Sequence, residues 1–247
     1  MPATRTIEGV VTGLRPLGEA DVVVRLVTGE TGRLEAVARG ARKSRRRFAG
    51  VLELGHTLQC EVRSGRGALP TLTSATVVER IRRSREDFTK ICQLAYACEI
   101  IDGLCAADLE APRLARLLRV WIDMLESDAV LAPSARVALE SKALTFAGLA
   151  PALVTCPECG DRLEGRVHWS LDAGGGVPPW CGAGVEMDTE VLHRAEALRR
   201  RPLQDTVERG DAFAWWGISD LLRHHLGRQL QSRELLSTAE QSPENQR

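Results

Sequence analysis

The chain lacks any run of about twenty apolar residues, so a membrane-spanning helix is not expected. The segment from Met1 to Arg5 also lacks the apolar stretch of a signal peptide. These absences predict a cytoplasmic protein with no membrane partner. The seven cysteines are an odd number, and Cys92, Cys98 and Cys105 fall inside an apolar helical pattern, so disulfides are not expected.

The sequence also lacks the motifs that carry most catalytic chemistry. It contains no phosphate-binding glycine loop, no metalloprotease pair of histidines and no strand–serine–helix elbow. A nuclease would need clustered carboxylates for its metal ions, and the acids of residues 1–83 are scattered. His224 and His225 would point about 100° apart on a helix, which argues against joint metal ligation. We therefore expect a protein that is not an enzyme.

Net charge is zero for the whole chain but not for its parts. Residues 1–83 contain 15 Lys or Arg against 8 Asp or Glu, and the remainder contains 18 against 25, a net of +7 in front and −7 behind. This asymmetry predicts a polyanionic partner for the N-terminal part, because phosphates respond to the local field. The alternative is a solvated basic face that the acidic body neutralises within the molecule.

The first eighty residues have the pattern of short strands. Five β-branched or alternating segments occur, at 6–15, 21–28, 33–38, near 56–63 and at 71–79. Turn residues separate them, including Gly29-Glu30-Thr31-Gly32 and Ser64-Gly65-Arg66-Gly67. Five strands in so short a segment favour a small closed barrel, since closure removes exposed strand edges.

From residue 87 onward the apolar period lengthens to that of a helix. Helices are predicted at 87–107, 112–126 and 134–146, and two or three more complete the chain, the clearest at about 213–236. A cysteine-containing segment at 155–184 interrupts the helical pattern. The polar residues 237–247 are predicted to be disordered.

The candidate nucleic-acid contact lies between the third and fourth strands. Six of the nine residues 39–47 are cationic with no acid between them: Arg39, Arg42, Lys43, Arg45, Arg46 and Arg47. Such side chains on a loop can approach backbone phosphates and release counterions, giving salt-sensitive affinity without base readout. The alternative is an exposed loop that only keeps the protein soluble.

Two further features of the N-terminal part bear on this interpretation. Its one aromatic residue is Phe48, so base stacking, on which single-strand-binding folds commonly rely, is not expected to dominate. A second basic cluster, Arg80, Arg82, Arg83 and Arg85, follows the last strand. It either extends the same surface or caps the junction with the acidic helical body.

Cys156, Cys159 and Cys181 are spaced like three of the four ligands of a zinc ribbon. The first knuckle, Cys156-x-x-Cys159, is complete, and Cys181 follows after 21 residues. The second knuckle has Gly184 where the fourth thiolate belongs. His168 is the candidate fourth ligand, and Asp172 and His193 are poorer ones.

Two other interpretations of this cysteine segment stand beside zinc binding. The segment is alternatively a relic that carries no metal and is held by packing of Trp169 and Trp180. A redox role for the Cys-x-x-Cys pair is less well supported, because no strand-then-helix context surrounds it. Zinc is therefore not a required cofactor of the predicted function.

Taken in order, these segments resemble the RecO family of recombination mediator proteins over nearly the whole chain. The resemblance rests on Glu8-Gly9-Val10-Val11, Gly18-Glu19-Ala20-Asp21, Gly29-Glu30-Thr31-Gly32, Val37-Ala38-Arg39-Gly40-Ala41-Arg42, Leu149-Ala150-Pro151, Cys156-Pro157-Glu158-Cys159-Gly160 and residues 226–236. It implies an α+β fold: a five-stranded OB-fold barrel at 1–83, then an all-helical domain at 84–236. A zinc-ribbon-like insertion at about 155–184 is set into that helical domain.

The resemblance also implies a non-catalytic function. Its members bind single- and double-stranded DNA, anneal complementary strands and help to load the RecA recombinase, usually together with RecR. The DNA is coated by single-strand-binding protein, whose acidic C-terminal tail we expect to dock on the helical body. Many members carry four cysteines, so Gly184 is a departure. The alternative function is an OB-fold RNA-binding or ribosome-associated factor.

Overall fold

The computed structural model describes residues 4–64, 68–127, 131–206 and 213–241. Its strands are β1 (Thr4–Leu17), β2 (Asp21–Thr28), β3 (Gly32–Ala38), β4 (Thr57–Arg63), β5 (Thr71–Glu79), β6 (Arg166–Ser170), β7 (Gly175–Val177) and β8 (Val185–Asp188). Its helices are α1 (Phe88–Leu104), α2 (Pro112–Glu126), α3 (Pro133–Phe146), α4 (Thr189–Arg200), α5 (Gly217–Leu226) and α6 (Gln231–Gln241). Residues 65–67 of the predicted turn lie outside the described residues.

Strands β1 to β5 close a barrel in the order β1-β2-β3-β5-β4, which confirms the predicted OB-fold class. Neighbouring strands are antiparallel except β3 and β5, which pair in parallel at Val37 and Thr71. Alternate residues point inward because side chains in a strand have a period of two. The interior is filled by small and branched side chains, among them Val11, Val24, Leu26, Leu58 and Leu72.

Helices α1 and α2 belong to the same compact unit as the barrel. Among the described residues, this unit comprises residues up to 127 together with residues 232–241, and the second comprises residues 131–206 and 213–231. The predicted domain boundary at residue 83 is therefore not the boundary between the compact units. The reason is packing: Cys98 and Ile101 of α1 are buried, and Glu99 accepts hydrogen bonds from the backbone N–H (2.9 Å) and hydroxyl (2.6 Å) of Ser232.

The second unit contains α3, α4, α5 and a three-stranded sheet of order β7-β6-β8. Its interior includes an ion pair between Arg136 and Glu140, whose side chains are 1% and 0% exposed and whose charged atoms are 3.0 Å apart. The Arg136 guanidinium also lies 3.6 Å from the ring centroid of Trp216. Stacking on the indole and pairing with the carboxylate compensate for removing this cation from water.

Two predictions about the C-terminal helices are wrong. The segment predicted as one helix at 213–236 forms α5 and α6, because Gly227 has a φ of 62° and its N–H caps α5 by donating to the Arg223 carbonyl. Helix α6 then continues to Gln241, so Ser237–Gln241 are helical where disorder was expected. Residues 242–247 of the predicted tail lie outside the described residues. No helix in the described ranges has the length and apolarity needed to cross a membrane.

Candidate nucleic-acid interface and cysteine cluster

The basic segment 39–47 is attached to the β1–β2 turn at its start. The backbone N–H of Gly40, which has a φ of 67°, donates to the Asp21 carboxylate at 2.8 Å. The backbone N–H of Arg42 donates to the Ala20 carbonyl at 3.0 Å. These bonds begin a short 3-10 helix, Ala41–Lys43, so the cations are carried on a turn of defined geometry.

Phe48 anchors the other end of this segment. Its side chain is 4% exposed and belongs to the barrel core, where Val51 and Leu52 also pack. The Ser44 hydroxyl accepts hydrogen bonds from the backbone N–H groups of Arg47 (3.0 Å) and Phe48 (3.1 Å), which closes the turn before the ring. The single aromatic residue of the N-terminal part is thus a core residue and does not offer a stacking surface.

All six predicted cations of this segment are exposed: Arg39, Arg42, Lys43, Arg45, Arg46 and Arg47. Two of them also make internal contacts. Arg42 reaches the Gly18 carbonyl at 3.4 Å, and Arg47 donates to the Arg39 carbonyl while its guanidinium lies 4.6 Å from the Phe48 ring centroid. Within the described residues, the other four side chains make no hydrogen bond or ion pair and remain available for phosphates.

The second basic cluster lies where the last barrel strand leads into the helices. It consists of Arg80, Arg82, Arg83 and Arg85. The backbone N–H groups of Arg82 (2.8 Å), Arg83 (3.1 Å) and Ser84 (2.9 Å) all donate to the carboxylate of Glu126. Arg85 pairs with Glu53, and Arg80 donates to the Gly50 carbonyl at 3.4 Å. These contacts agree with capping of the junction, but those of Arg82 and Arg83 are made by the backbone and do not test whether the side chains extend the basic surface.

The pKa of Glu126 reflects this arrangement. Burial works against its ionisation, but the Ser84 hydroxyl and the three backbone N–H groups outweigh burial and lower the pKa below its ordinary value. The carboxylate therefore acts as an anion bound at the beginning of a short helical turn. Sequence reasoning did not identify Glu126 or the anchors Asp21 and Ser44 as important residues. All three accept hydrogen bonds from backbone N–H groups, and such contacts leave no motif in the sequence.

The three cysteines of the predicted zinc site meet in space. The sulfur atoms of Cys156, Cys159 and Cys181 all lie within 4.8 Å of one another. The knuckle is closed by the Gly160 N–H, which donates to the Cys156 carbonyl at 3.0 Å, and Gly160 has a φ of 80°. No other His, Cys, Asp or Glu of the described residues joins this cluster.

The cluster favours a thiolate at Cys156. Burial opposes ionisation of the Cys156 thiol, but the backbone N–H groups of Cys159 and Glu158 lower its pKa on balance. A hydrogen bond involving Cys159 raises the pKa of Cys181 to about 12. Three converging sulfur ligands, one of them in an N–H-lined knuckle, fit three of the four positions that zinc requires.

The predicted fourth ligand, His168, lies outside the cluster of sulfur atoms. Its Nδ1 atom lies 2.8 Å from the Gly182 carbonyl, which only accepts hydrogen bonds, so Nδ1 carries the proton.

The alternative interpretation, in which Trp169 and Trp180 hold the segment by packing, is correct for only one of the two residues. Trp169 is buried and meets Trp215 edge to face at 4.8 Å, whereas Trp180 is 78% exposed and does not pack.

Comparisons with known proteins agree with this architecture. The family model described as recombination protein O, N terminal, matches residues 1–81, and the model described as recombination protein O, C terminal, matches residues 85–238. Together these two models match nearly the whole chain, and they divide it close to the boundary that the sequence pattern predicted.

Similar curated proteins are named DNA repair protein RecO. That of Symbiobacterium thermophilum is 32% identical over 96% of this chain and 98% of its own length. That of Myxococcus xanthus is 33% identical over 89% of this chain and 91% of its own length. That of Anaeromyxobacter sp. strain K is 35% identical over 93% of this chain and 94% of its own length. The chain therefore belongs to the RecO family of DNA repair proteins.

Proposed function

We propose that the chain is a non-catalytic recombination mediator. It binds single- and double-stranded DNA through residues 39–47, anneals complementary strands and assists RecA loading in recombinational repair. Family membership supports the role in repair, and the observation that carries the DNA contact is the anchored basic segment. Four exposed cations, Arg39, Lys43, Arg45 and Arg46, make no ion pair with the described residues.

The expected binding is electrostatic and largely independent of sequence. Each cation that approaches a phosphate releases a condensed counterion, so affinity falls as salt rises. Phe48 is buried and unavailable for stacking on bases. The Gly40–Asp21 bond and the buried Phe48 ring fix both ends of the segment, which limits the backbone entropy that is lost when DNA binds.

A triple variant tests this contact without disturbing its anchors. Changing Lys43, Arg45 and Arg46 to Ala removes three charges but leaves Arg42 and Arg47 in their internal contacts. DNA affinity should fall at least tenfold at moderate salt and its salt dependence should flatten, as measured by fluorescence anisotropy with labelled oligomers. The matched control changes three exposed arginines outside the segment, Arg116, Arg162 and Arg166, to Ala. Equal loss in both variants would refute residues 39–47 as the main contact.

The same assay separates the proposed function from other classes. Matched RNA oligomers test an RNA-binding factor, for which RNA would bind more tightly than DNA. Added magnesium tests a nuclease, for which the labelled strand would be shortened. Under our proposal, DNA binds at least as tightly as RNA, and the strand remains intact.

Partner binding completes the proposal. We propose that the chain acts with RecR and binds the acidic C-terminal tail of single-strand-binding protein, and that it reaches RecA indirectly. A short acidic and apolar peptide suits a groove between amphipathic helices with a cation at its rim. Calorimetric titration of the tail peptide into the full chain tests this, because a cut at residue 83 would divide the first compact unit. Loss of binding when the terminal carboxylate of the peptide is amidated is the expected result.

A further inference from the structure

The cysteine cluster has an unusual feature at the position of the missing fourth ligand. A side chain at Gly184 would place its Cβ 2.2 Å from the carbonyl oxygen and 2.6 Å from the carbonyl carbon of Trp169. Real Cβ atoms do not approach backbone this closely. Strand β8 begins at the next residue, Val185, which pairs with Trp169. The backbone has therefore closed over the place where a cysteine side chain would begin.

His168 does not replace the missing thiolate. Its backbone is held on both sides, since it pairs with Val177 of β7 and with Glu186 of β8. Its ring donates from Nδ1 to the Gly182 carbonyl at 2.8 Å, and it is not a member of the sulfur cluster.

The cluster has an exposed side. Cys156 is buried, whereas Cys181 is half-buried and Cys159 is exposed. A metal ion held by these three sulfur atoms is therefore reached from solvent past Cys159. Zinc prefers four tetrahedral ligands, and a site with three protein ligands takes its fourth from water or another small molecule.

We propose that this cluster is an open zinc site. Three thiolates, from Cys156, Cys159 and Cys181, hold the ion, and an exchangeable ligand from solvent occupies the fourth position. The close approach of Gly184 to Trp169 keeps a fourth protein thiolate out. This inference concerns the second compact unit and stands independently of the proposed DNA contact.

Cobalt(II) substitution in the full chain tests the proposal. The sulfur-to-cobalt charge-transfer absorption scales with the number of thiolate ligands, so each single Cys→Ser change should remove about a third of it, if the ion remains bound. Added imidazole should shift the visible cobalt bands saturably, because it displaces the exchangeable ligand. Cobalt bands that imidazole leaves unaffected would show a closed site whose fourth ligand comes from the protein, and would contradict the proposal. Failure to bind cobalt at one ion per chain would overturn the proposal outright.

Two variants distinguish the fourth ligand. His168→Ala should leave the cobalt spectrum unchanged, and an altered spectrum would identify His168 as a ligand. Gly184→Cys should add no thiolate absorption and should lower the melting temperature, since its Cβ collides with the Trp169 carbonyl. A stable Gly184→Cys protein with stronger charge-transfer absorption would contradict the closed geometry. Circular dichroism of both variants verifies that they are folded.

Discussion

Arg25 of β2 donates a hydrogen bond of 2.8 Å to the carboxylate of Asp102 on α1. Asp102 is almost wholly buried, with 3% of its side chain exposed, whereas 41% of the Arg25 side chain is exposed. The hydroxyl of Thr12, which lies at a bulge in β1, donates to the other carboxylate oxygen at 2.9 Å. This carboxylate thereby links two neighbouring barrel strands to the first helix.

We predict that Arg25→Met lowers the free energy of unfolding by about 2 kcal/mol, because it leaves a buried carboxylate with one remaining donor. The loss is less than for a fully buried pair, since water reaches the arginine side. Urea denaturation measures it. The double variant Arg25→Met with Asp102→Leu should lose less than the sum of the two single changes, and strict additivity would contradict the coupling.

Two glycines of similar backbone conformation should differ sharply when changed to Ala. Gly18 and Gly32 have φ values of 61° and 62°, but a Cβ at Gly18 meets nothing within 4 Å, whereas at Gly32 it lies 2.3 Å from the Ala106 carbonyl oxygen. Gly18→Ala should lower the free energy of unfolding by about 1 kcal/mol, because alanine is strained in the left-handed conformation. Gly32→Ala should cost at least about 3 kcal/mol, because the loop after α1 must also move. Similar melting temperatures for the two variants would show that the loop after α1 can move with little cost in free energy, and would contradict the prediction.

The link between Glu126 and the junction predicts a pH-dependent stability. Its folded-state pKa lies below the ordinary 4.5, so its stabilising effect is complete above the unfolded-state pKa and is lost as pH falls through the lowered folded-state pKa. Glu126→Gln should cost about 1.5 kcal/mol at neutral pH, since the amide cannot accept all of these hydrogen bonds. The difference from the unchanged chain should shrink toward about pH 3. Denaturation series at both pH values measure it, and a constant difference would contradict the mechanism.

Phe48 should affect DNA binding without contributing charge. Phe48→Ala removes a ring that is 4% exposed in the barrel core, and should lower the free energy of unfolding by about 3 kcal/mol. It should also weaken DNA binding several-fold, because residues 39–47 lose their anchor and must be ordered upon binding. Phe48→Leu, which keeps an apolar side chain, should preserve most of the affinity. Undiminished DNA binding by a folded Phe48→Ala protein would show that the anchor is irrelevant to the interface.

Strand annealing should proceed without a nucleotide and fade as salt rises. A cationic surface that binds two strands at once lowers the repulsion between their phosphates. Salt screens the attraction between the protein and each strand, so annealing weakens as salt rises. Annealing of complementary oligomers, bare and coated with single-strand-binding protein, measures this by fluorescence quenching. A requirement for ATP would refute a purely electrostatic mechanism.

Most elements could be predicted from sequence periodicity, and the exceptions have physical causes. The strand at 71–79 and the helix at 112–126 have the predicted bounds, because alternation and three-to-four spacing report directly which face is buried. The break at Gly227 was missed, since apolar residues on both sides continue the same period. The junction role of the second arginine cluster was also undecided, because its partner Glu126 lies more than forty residues away along the chain.

Local pattern and composition are enough to predict the barrel strands, the helical periods, the basic segment at 39–47 and the spacing of the three cysteines. Tertiary structure alone decided that α1 and α2 form one compact unit with the barrel, since Asp102 is neutralised by a strand residue 77 positions away. It also decided that Phe48 is buried while the cations around it are exposed. At the cysteine cluster, the pairing of β6 with β8 brings the Trp169 carbonyl against Gly184 and excludes a fourth side chain. Such contacts depend on where distant segments meet, and a pattern read along the chain does not contain that information.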